Sequence, residues 1–248
     1  MNAIYILWLR QIKRYIRSKA RIVGSLGQPV LFLVALGFGF GPIYQKAGGG
    51  DYLQFLAPGI IAMGILFTAI FSGIEIIWDK QFGFLKETLV TPVPRLNIMI
   101  GRTLGGATVA VIQGIFVFFL SMIIGFRPSN FAMIPVAFVF MFLIAILFTA
   151  LGTAIASKLE DMQGFQLIMN FLVMPLFFLS GALFPLDGLP NAMIIVAKMD
   201  PLAYGIDGLR GSLSGISQFG MINDFFILGI IAFFLLSVGG YLFSKIEL

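Results

Sequence analysis

The sequence predicts an all-α integral membrane protein: six transmembrane helices, an N-terminal amphipathic interfacial helix, and an external re-entrant hairpin between helices five and six. Three observations lead there. Of 248 residues, 59% are hydrophobic and 11% charged, with a mean hydropathy of +1.02, whereas a soluble domain carries about 25% charged residues. The apolar residues run in charge-poor stretches of the length needed to cross a bilayer, about 20 residues for a helix. The chain holds 29 glycines, which let transmembrane helices approach closely. Residues 1–248 therefore read as one transmembrane domain.

The N-terminal stretch 4–22 reads IYILWLRQIKRYIRSKARI. On a helical wheel Ile4, Trp8, Ile12, Tyr15, Ile16 and Ile22 gather on one side, and Arg10, Lys13, Arg14, Arg17 and Arg21 on the other; Lys19 falls among the apolar residues. This is the pattern of a helix lying in the membrane interface, basic face toward lipid headgroups, with Trp8 and Tyr15 as anchors. The basic residues occupy the place of an apolar signal-peptide core and argue against one.

Six spans follow, at 25–44, 52–77, 103–126, 131–157, 162–186 and 225–244. Proline falls early in the first two, at Pro29 and Pro58, and Pro175 interrupts the fifth. The region 187–224 is too polar to span. Its apolar run NAMIIVA is too short to cross and is expected on the surface or re-entering partway. Between the second and third spans, 78–102 reads WDKQFGFLKETLVTPVPRLNIMIGR. Its charges keep it out of the bilayer core, yet Phe82, Phe84, Leu85, Leu89, Val90 and Val93 are spaced among them. A charged loop that keeps such an apolar set docks on something. Leu85 and Leu89 are four apart and would share one helical face. Glu75 is expected to pair with Lys80 or Arg95.

Basic residues set the orientation. The side holding both termini and the 78–102 loop carries twelve of them, and the other side four: Lys46, Arg127, Lys198 and Arg210. Both termini and the loop are therefore expected on the cytoplasmic side of the cell membrane. The net charge of +5 speaks of topology and not of nucleic acid.

Whole classes of chemistry are excluded. The chain has no cysteine and no histidine, which removes disulfides, thiolate and imidazole chemistry, and the usual zinc sites. No G-x-x-x-x-G-K-[ST] phosphate loop occurs. Ser180 has no histidine base, so Ser180–Gly181 reads as a packing or flexing point. Pro185 and Pro190 remove backbone donors and Gly188 permits a tight turn. Asp207 and Arg210 are three apart and would pair on a helix. Gly37/Gly41 and Gly101/Gly105 are small-xxx-small candidates for packing against a second subunit. With 28 phenylalanines against six tyrosines and two tryptophans, an apolar cavity is favoured over a sugar track.

The loop DKQFGFLKETLVTPVPRLNIMIGR resembles the first cytoplasmic loop of the ABC transporter type-2 permeases. FFLSGALFPLDGLP followed by DPLAYGIDGLR resembles the fifth span and external hairpin of the same family. The resemblance covers essentially the whole chain. It implies a permease subunit with no catalytic site of its own and no cofactor, half of a translocation path for an amphipathic or lipophilic drug, lipid or lipid-linked glycan. Its partners would be two copies of a separate ABC ATPase that binds ATP and magnesium, an identical or related second permease, and membrane lipid. The coupling loop would contribute Asp79, Phe82, Gly83, Leu85, Glu87, Leu89, Pro92 and Arg95. The external motif would contribute Ser180, Gly181, Phe184, Pro185, Gly188, Pro190, Pro201, Tyr204, Asp207 and Arg210. The alternative is a stand-alone carrier or channel not coupled to ATP.

Overall fold

The computed structural model describes residues 3–48, 50–90, 92–186 and 188–245. In chain order the helices are α1 (Ala3–Arg17), α2 (Lys19–Lys46), α3 (Tyr52–Phe71), α4 (Ile74–Gln81), α5 (Phe84–Val90) and α6 (Arg95–Ile124). After a 3-10 turn at Phe131–Met133 come α7 (Ile134–Lys158), α8 (Met162–Leu179), α9 (Asn191–Met199), α10 (Pro201–Ser214) and α11 (Met221–Ser244). Among the described residues there is no strand. Among the described residues six helical stretches are long and apolar enough to cross a membrane: Lys19–Lys46, Tyr52–Gln81, Arg95–Ile124, Phe131–Lys158, Met162–Leu179 and Met221–Ser244.

α3 is the axis of the bundle. Every residue from Phe55 to Leu66 is buried, and the helix is enclosed by α2, α6, α7 and α10. A helix apolar on all sides must be covered on all sides. Its far end meets α7 through glycine: a Cβ placed on Gly73 would lie 2.5 Å from the Gly152 carbonyl oxygen. Ser72 and Gly73 keep helical angles there, and the Ser72 hydroxyl donates to the Ala69 carbonyl at 2.6 Å, so α4 continues α3 after a tightened turn. α2, α8 and α11 lie at the margin. Phe38 on α2, Phe171 on α8 and Phe233 on α11 stand in their exposed apolar rows, which suit lipid or another subunit and not water.

Acidic and amide side chains start several helices. The Asp51 carboxylate accepts from the Leu53 amide at 2.9 Å, Asp200 from Leu202 at 2.8 Å, and Asp161 from Gly164. Each satisfies one amide that the first turn leaves without a partner.

Several boundaries differ from the sequence expectation. The N-terminal helix ends at Arg17, not residue 22. Ser18 leaves helical geometry (φ −96°, ψ 77°), and its carbonyl accepts from the amides of Arg21 and Ile22 at 3.0 and 3.2 Å, opening α2. The third span begins at Arg95 and so contains Arg102, which is 4% exposed. Charge alone predicted Arg102 to lie in the connecting loop; it sits instead in the first turns of α6, beside its counter-charge Asp79. The fifth span runs unbroken through Pro175 and stops at Leu179, where Gly181 at φ +76° turns the chain. A transmembrane helix tolerates proline because neighbouring groups satisfy the freed carbonyl. Beyond it, α9 is largely exposed, whereas α10 buries Leu202, Ile206, Leu209 and Leu213 against α3, α7 and α11.

Candidate functional site

The segment α4–α5 and the helix α1 form one unit. Glu75 and Asp79 are four apart on α4, and Arg10 and Arg14 are four apart on α1, so each pair occupies one helical face. The two faces meet in antiparallel register. Arg10 pairs with Asp79 at 3.1 Å and Arg14 with Glu75 at 3.7 Å. Arg21, just after the Ser18 break, adds a 2.9 Å contact to Glu75, and Arg102 on α6 donates to the second oxygen of Asp79. Glu75 thus takes its partners from the N-terminal helices and not from Lys80 or Arg95. Lys80 instead donates to the carbonyls of Ala156, Ser157 and Leu159 at 3.3, 2.8 and 3.1 Å. It closes the end of α7, where the helix dipole is negative. The Arg95 guanidinium donates to the Ser244 carbonyl at 2.6 Å and ties α6 to the end of α11.

α5 hangs from this anchored base. Gly83, at φ +81°, makes the turn that a side chain would strain. Leu85 turns inward and is 2% exposed in the hydrophobic core, so it does not present the outward face expected of it; the Leu89 side chain and Thr91 lie outside what the structure describes. The outward apolar residues are Phe82 (74% exposed), Phe84 (53%) and Val90 (77%), with Glu87 and Pro92 exposed beside them. Arg10 lies 5.5 Å from the Phe84 ring centroid and Arg14 5.0 Å from that of Trp78, so the arginines that hold α4 also touch the root of the loop.

α1 is seated on α6. A Cβ on Gly101 would lie 2.9 Å from the Ile4 carbonyl oxygen, and one on Gly105 2.6 Å from Gln11 Cγ. These glycines therefore admit α1 of the same chain and are not a free face for a second subunit. Gly37 is likewise covered, by Leu53, while Gly41 faces open space. Trp8 donates to the Thr108 hydroxyl at 3.0 Å and Tyr15 to Gln113 Oε1 at 2.9 Å. Both expected lipid anchors thus bond inside the protein, and Tyr15 is 2% exposed. Ser25 also donates to Gln113 Oε1, at 3.0 Å. Beside this knot a cavity of about 210 Å³ opens between α2 and α3.

At the opposite end, the turn after α8 rests on α3. A Cβ on Gly59 would lie 2.5 Å from the Ala182 carbonyl oxygen. Tyr52 donates to the Leu183 carbonyl at 2.7 Å, and the Ser180 hydroxyl bonds back to Phe177 at 2.7 Å. Arg210 and Asp207 do not pair. The Arg210 guanidinium sits 3.9 Å from the Phe55 ring centroid and donates to the carbonyls of Gly181 and Phe55 at 3.0 and 3.4 Å. The Asp207 carboxylate accepts from the Ser217 hydroxyl at 2.9 Å and from the amides of Gln218 and Phe219, each at 2.8 Å. Burial lowers Arg210 to about 10 and raises Asp200 to about 7; the arginine stays cationic at neutral pH. Tyr204 donates to the Lys198 carbonyl at 2.7 Å, joining α10 to α9. Pro201 starts α10, Pro190 precedes α9 and Gly188 turns at φ +82°. Phe184 and Pro185 are partly exposed in the turn, and Asp187 lies outside the described residues.

Sequence reasoning missed the ladder, although the matched four-residue spacing of Glu75/Asp79 and Arg10/Arg14 carries its signal. The cavity and its polar residues were not, because they come from two different spans. Among the described residues no group of three metal-type side chains gathers.

The family model described as ABC-2 type transporter matches residues 2–214. Nodulation protein J of Rhizobium leguminosarum bv. viciae is 29% identical over 213 residues, 85% of this chain and 79% of its own. The inner membrane transport permease YadH of Escherichia coli K12 is 26% identical over 239 residues, 94% of this chain and 92% of its own. A match across most of a six-span helical chain makes the assignment: the protein belongs to the ABC-2 type transporter family, whose members are membrane permease subunits of ABC transporters.

Proposed function

We propose that this chain is the membrane subunit of an ATP-driven exporter and docks on a separate ABC ATPase through the α4–α5 connection. The observation that carries the reading is the pairing, within one short segment, of an anchored base and an apolar tip. Phe82, Phe84 and Val90 face outward, while Asp79, Glu75 and Lys80 bind the root of the segment to α1, α2, α6 and α7. An apolar tip fills a groove in a partner, and a base held by ion pairs passes the partner's movement into the bundle. Two ATPase copies would bind ATP and magnesium and supply the hydrolysis. A second permease, identical or related, would complete the path against the exposed apolar rows of α2, α8 and α11. The excess of basic residues beside α1 and the loop supports a cytoplasmic position for both termini, and the name of the Escherichia coli relative supports the inner cell membrane. The phenylalanine-rich, charge-poor bundle suits an amphipathic or lipophilic cargo, and the exposed Lys13, Arg17 and Lys19 suit anionic lipid headgroups.

The test is co-purification with an ABC ATPase, followed by ATP hydrolysis in lipid. A stable complex whose hydrolysis rises when this chain is present is expected. A chain that transports in the absence of any ATPase is instead a carrier or channel.

A further inference from the structure

The buried run of α3 ends at Leu66, and Phe67, Thr68 and Phe71 become partly exposed. They form one wall of the cavity of about 210 Å³; Arg21, Ser25 and Gln28 on α2 form the facing wall. Positions 21, 25 and 28 share one helical face, so the register of α2 sets this wall.

Two chemistries meet in the cleft. At the polar end one nitrogen of Arg21 holds Glu75 at 2.9 Å, out of the five N–H donors of a guanidinium. Gln28 and Thr68 make no side-chain hydrogen bond among the described residues. At the apolar end the Phe67 and Phe71 rings stack, with centroids 6.3 Å apart and planes at 10°.

The sign of the ligand follows from the charges. Arg14 and Arg21 share the single carboxylate of Glu75, which leaves one positive charge over, and Lys13, Arg17 and Lys19 are exposed nearby along the chain. The lining contains no carboxylate. The size follows from the volume: about 210 Å³ falls below the roughly 300 Å³ of the smallest ordinary ligand pockets. It holds a headgroup and the first carbons of a chain, not a whole amphiphile.

We propose that the α2–α3 cleft binds the headgroup of an anionic amphiphile, with Arg21 as charge partner, Gln28 and Thr68 as hydrogen-bond donors, and the Phe67–Phe71 stack against the root of the tail. The proposal rests on the export reading only for the fate of the bound molecule; binding itself needs no ATPase.

The test uses the full chain in phosphatidylcholine nanodiscs and three probes of equal tail: dodecyl phosphate, dodecylphosphocholine and dodecyltrimethylammonium. Charge-assisted hydrogen bonds lead us to expect dodecyl phosphate to bind at least about tenfold tighter than the other two. Arg21→Gln should abolish that preference. Because it also loosens Glu75, Gln28→Glu is the second variant: it puts a carboxylate on an exposed position and leaves the arginine ladder intact. It should weaken dodecyl phosphate by on the order of tenfold and strengthen dodecyltrimethylammonium, with an unchanged unfolding temperature. Equal binding of the three probes, or an anion preference that survives Gln28→Glu, overturns the proposal. Doping the nanodisc with phosphatidylglycerol assigns the source. Competition upholds the site as one for a resident bilayer lipid, and retained binding upholds it as one for cargo. Because no ATPase is present, loss of probe binding overturns the site alone, and failure to recruit an ATPase overturns the coupling reading alone.

Discussion

Asp79 carries a heavy electrostatic demand, because Arg102 beside it has a side chain only 3% exposed and depends on it for a counter-charge. Two guanidinium nitrogens of Arg102 already lack a partner among the described residues. Asp79→Asn would leave the cation buried and unpaired, at a cost of about 3–5 kcal/mol. We expect a large drop in the unfolding temperature of the detergent-solubilised protein, and recovery of most of it when Arg102→Met is added, because the double change removes both charges. If the double variant is no better than Asp79→Asn, the loss is not electrostatic. Asp200 predicts a pH effect at the other end. Burial raises its carboxyl to about 7, from 3.8 in an unfolded chain, so the fold favours the protonated form. That contribution is complete below about pH 4, declines as the pH rises, and is lost on passing through about 7. Unfolding temperatures should fall between about pH 4 and 7, and Asp200→Asn, which keeps a capping oxygen, should flatten that slope. An unaltered slope in the variant would assign the pH dependence to another group.

The element that organises the α4–α5 end of the bundle is α1, and its seat is made of glycine. Gly101→Val would drive a side chain into the backbone at Ile4, where no rotamer can yield, at a cost of about 1–3 kcal/mol. Limited trypsin digestion should then cut between Arg10 and Lys19 faster than in the parent chain; equal rates would mean that α1 is held by the ion ladder alone. How much of this was legible depended on the kind of signal. The six spans could be read because their length and apolarity are properties of single stretches. The amphipathic pattern of α1 could be read too, but not its orientation. A wheel that separates Trp8 and Tyr15 from Arg10 and Arg14 looks the same whether the partners are lipid or protein, and here Thr108, Gln113, Asp79 and Glu75 supply them. Arg102 was expected in the loop because the sequence shows a charge but not its partner; Asp79, 23 residues away, supplies one at the start of α6. The inward turn of Leu85 was hidden because α5 has seven residues, too few for a periodicity to show which face is buried.

At the scale of the whole molecule the reading as an ATP-coupled permease stands on the outward tip of the α4–α5 connection, and the burial pattern sharpens its test. Phe82 and Val90 are 74% and 77% exposed, so Phe82→Asp and Val90→Asp should change the stability of the chain by no more than about 0.5 kcal/mol. In a docking groove either would bury an unpaired carboxylate, at a cost of a few kcal/mol. That weakens ATPase association by about thirty-fold or more. Leu85→Asp is the contrast, since Leu85 is 2% exposed and a charge there damages the permease itself. The expected set is therefore normal amounts of folded Phe82→Asp and Val90→Asp proteins that neither hold the ATPase nor export, beside a Leu85→Asp protein that is scarce or unfolds early. Pull-down with the ATPase, unfolding temperature and export assay separate the three. If Phe82→Asp and Val90→Asp bind the ATPase and export at the parent level, the connection only joins two spans. The arginine ladder then serves stability rather than coupling, and a carrier or channel without ATP becomes the better account of the fold.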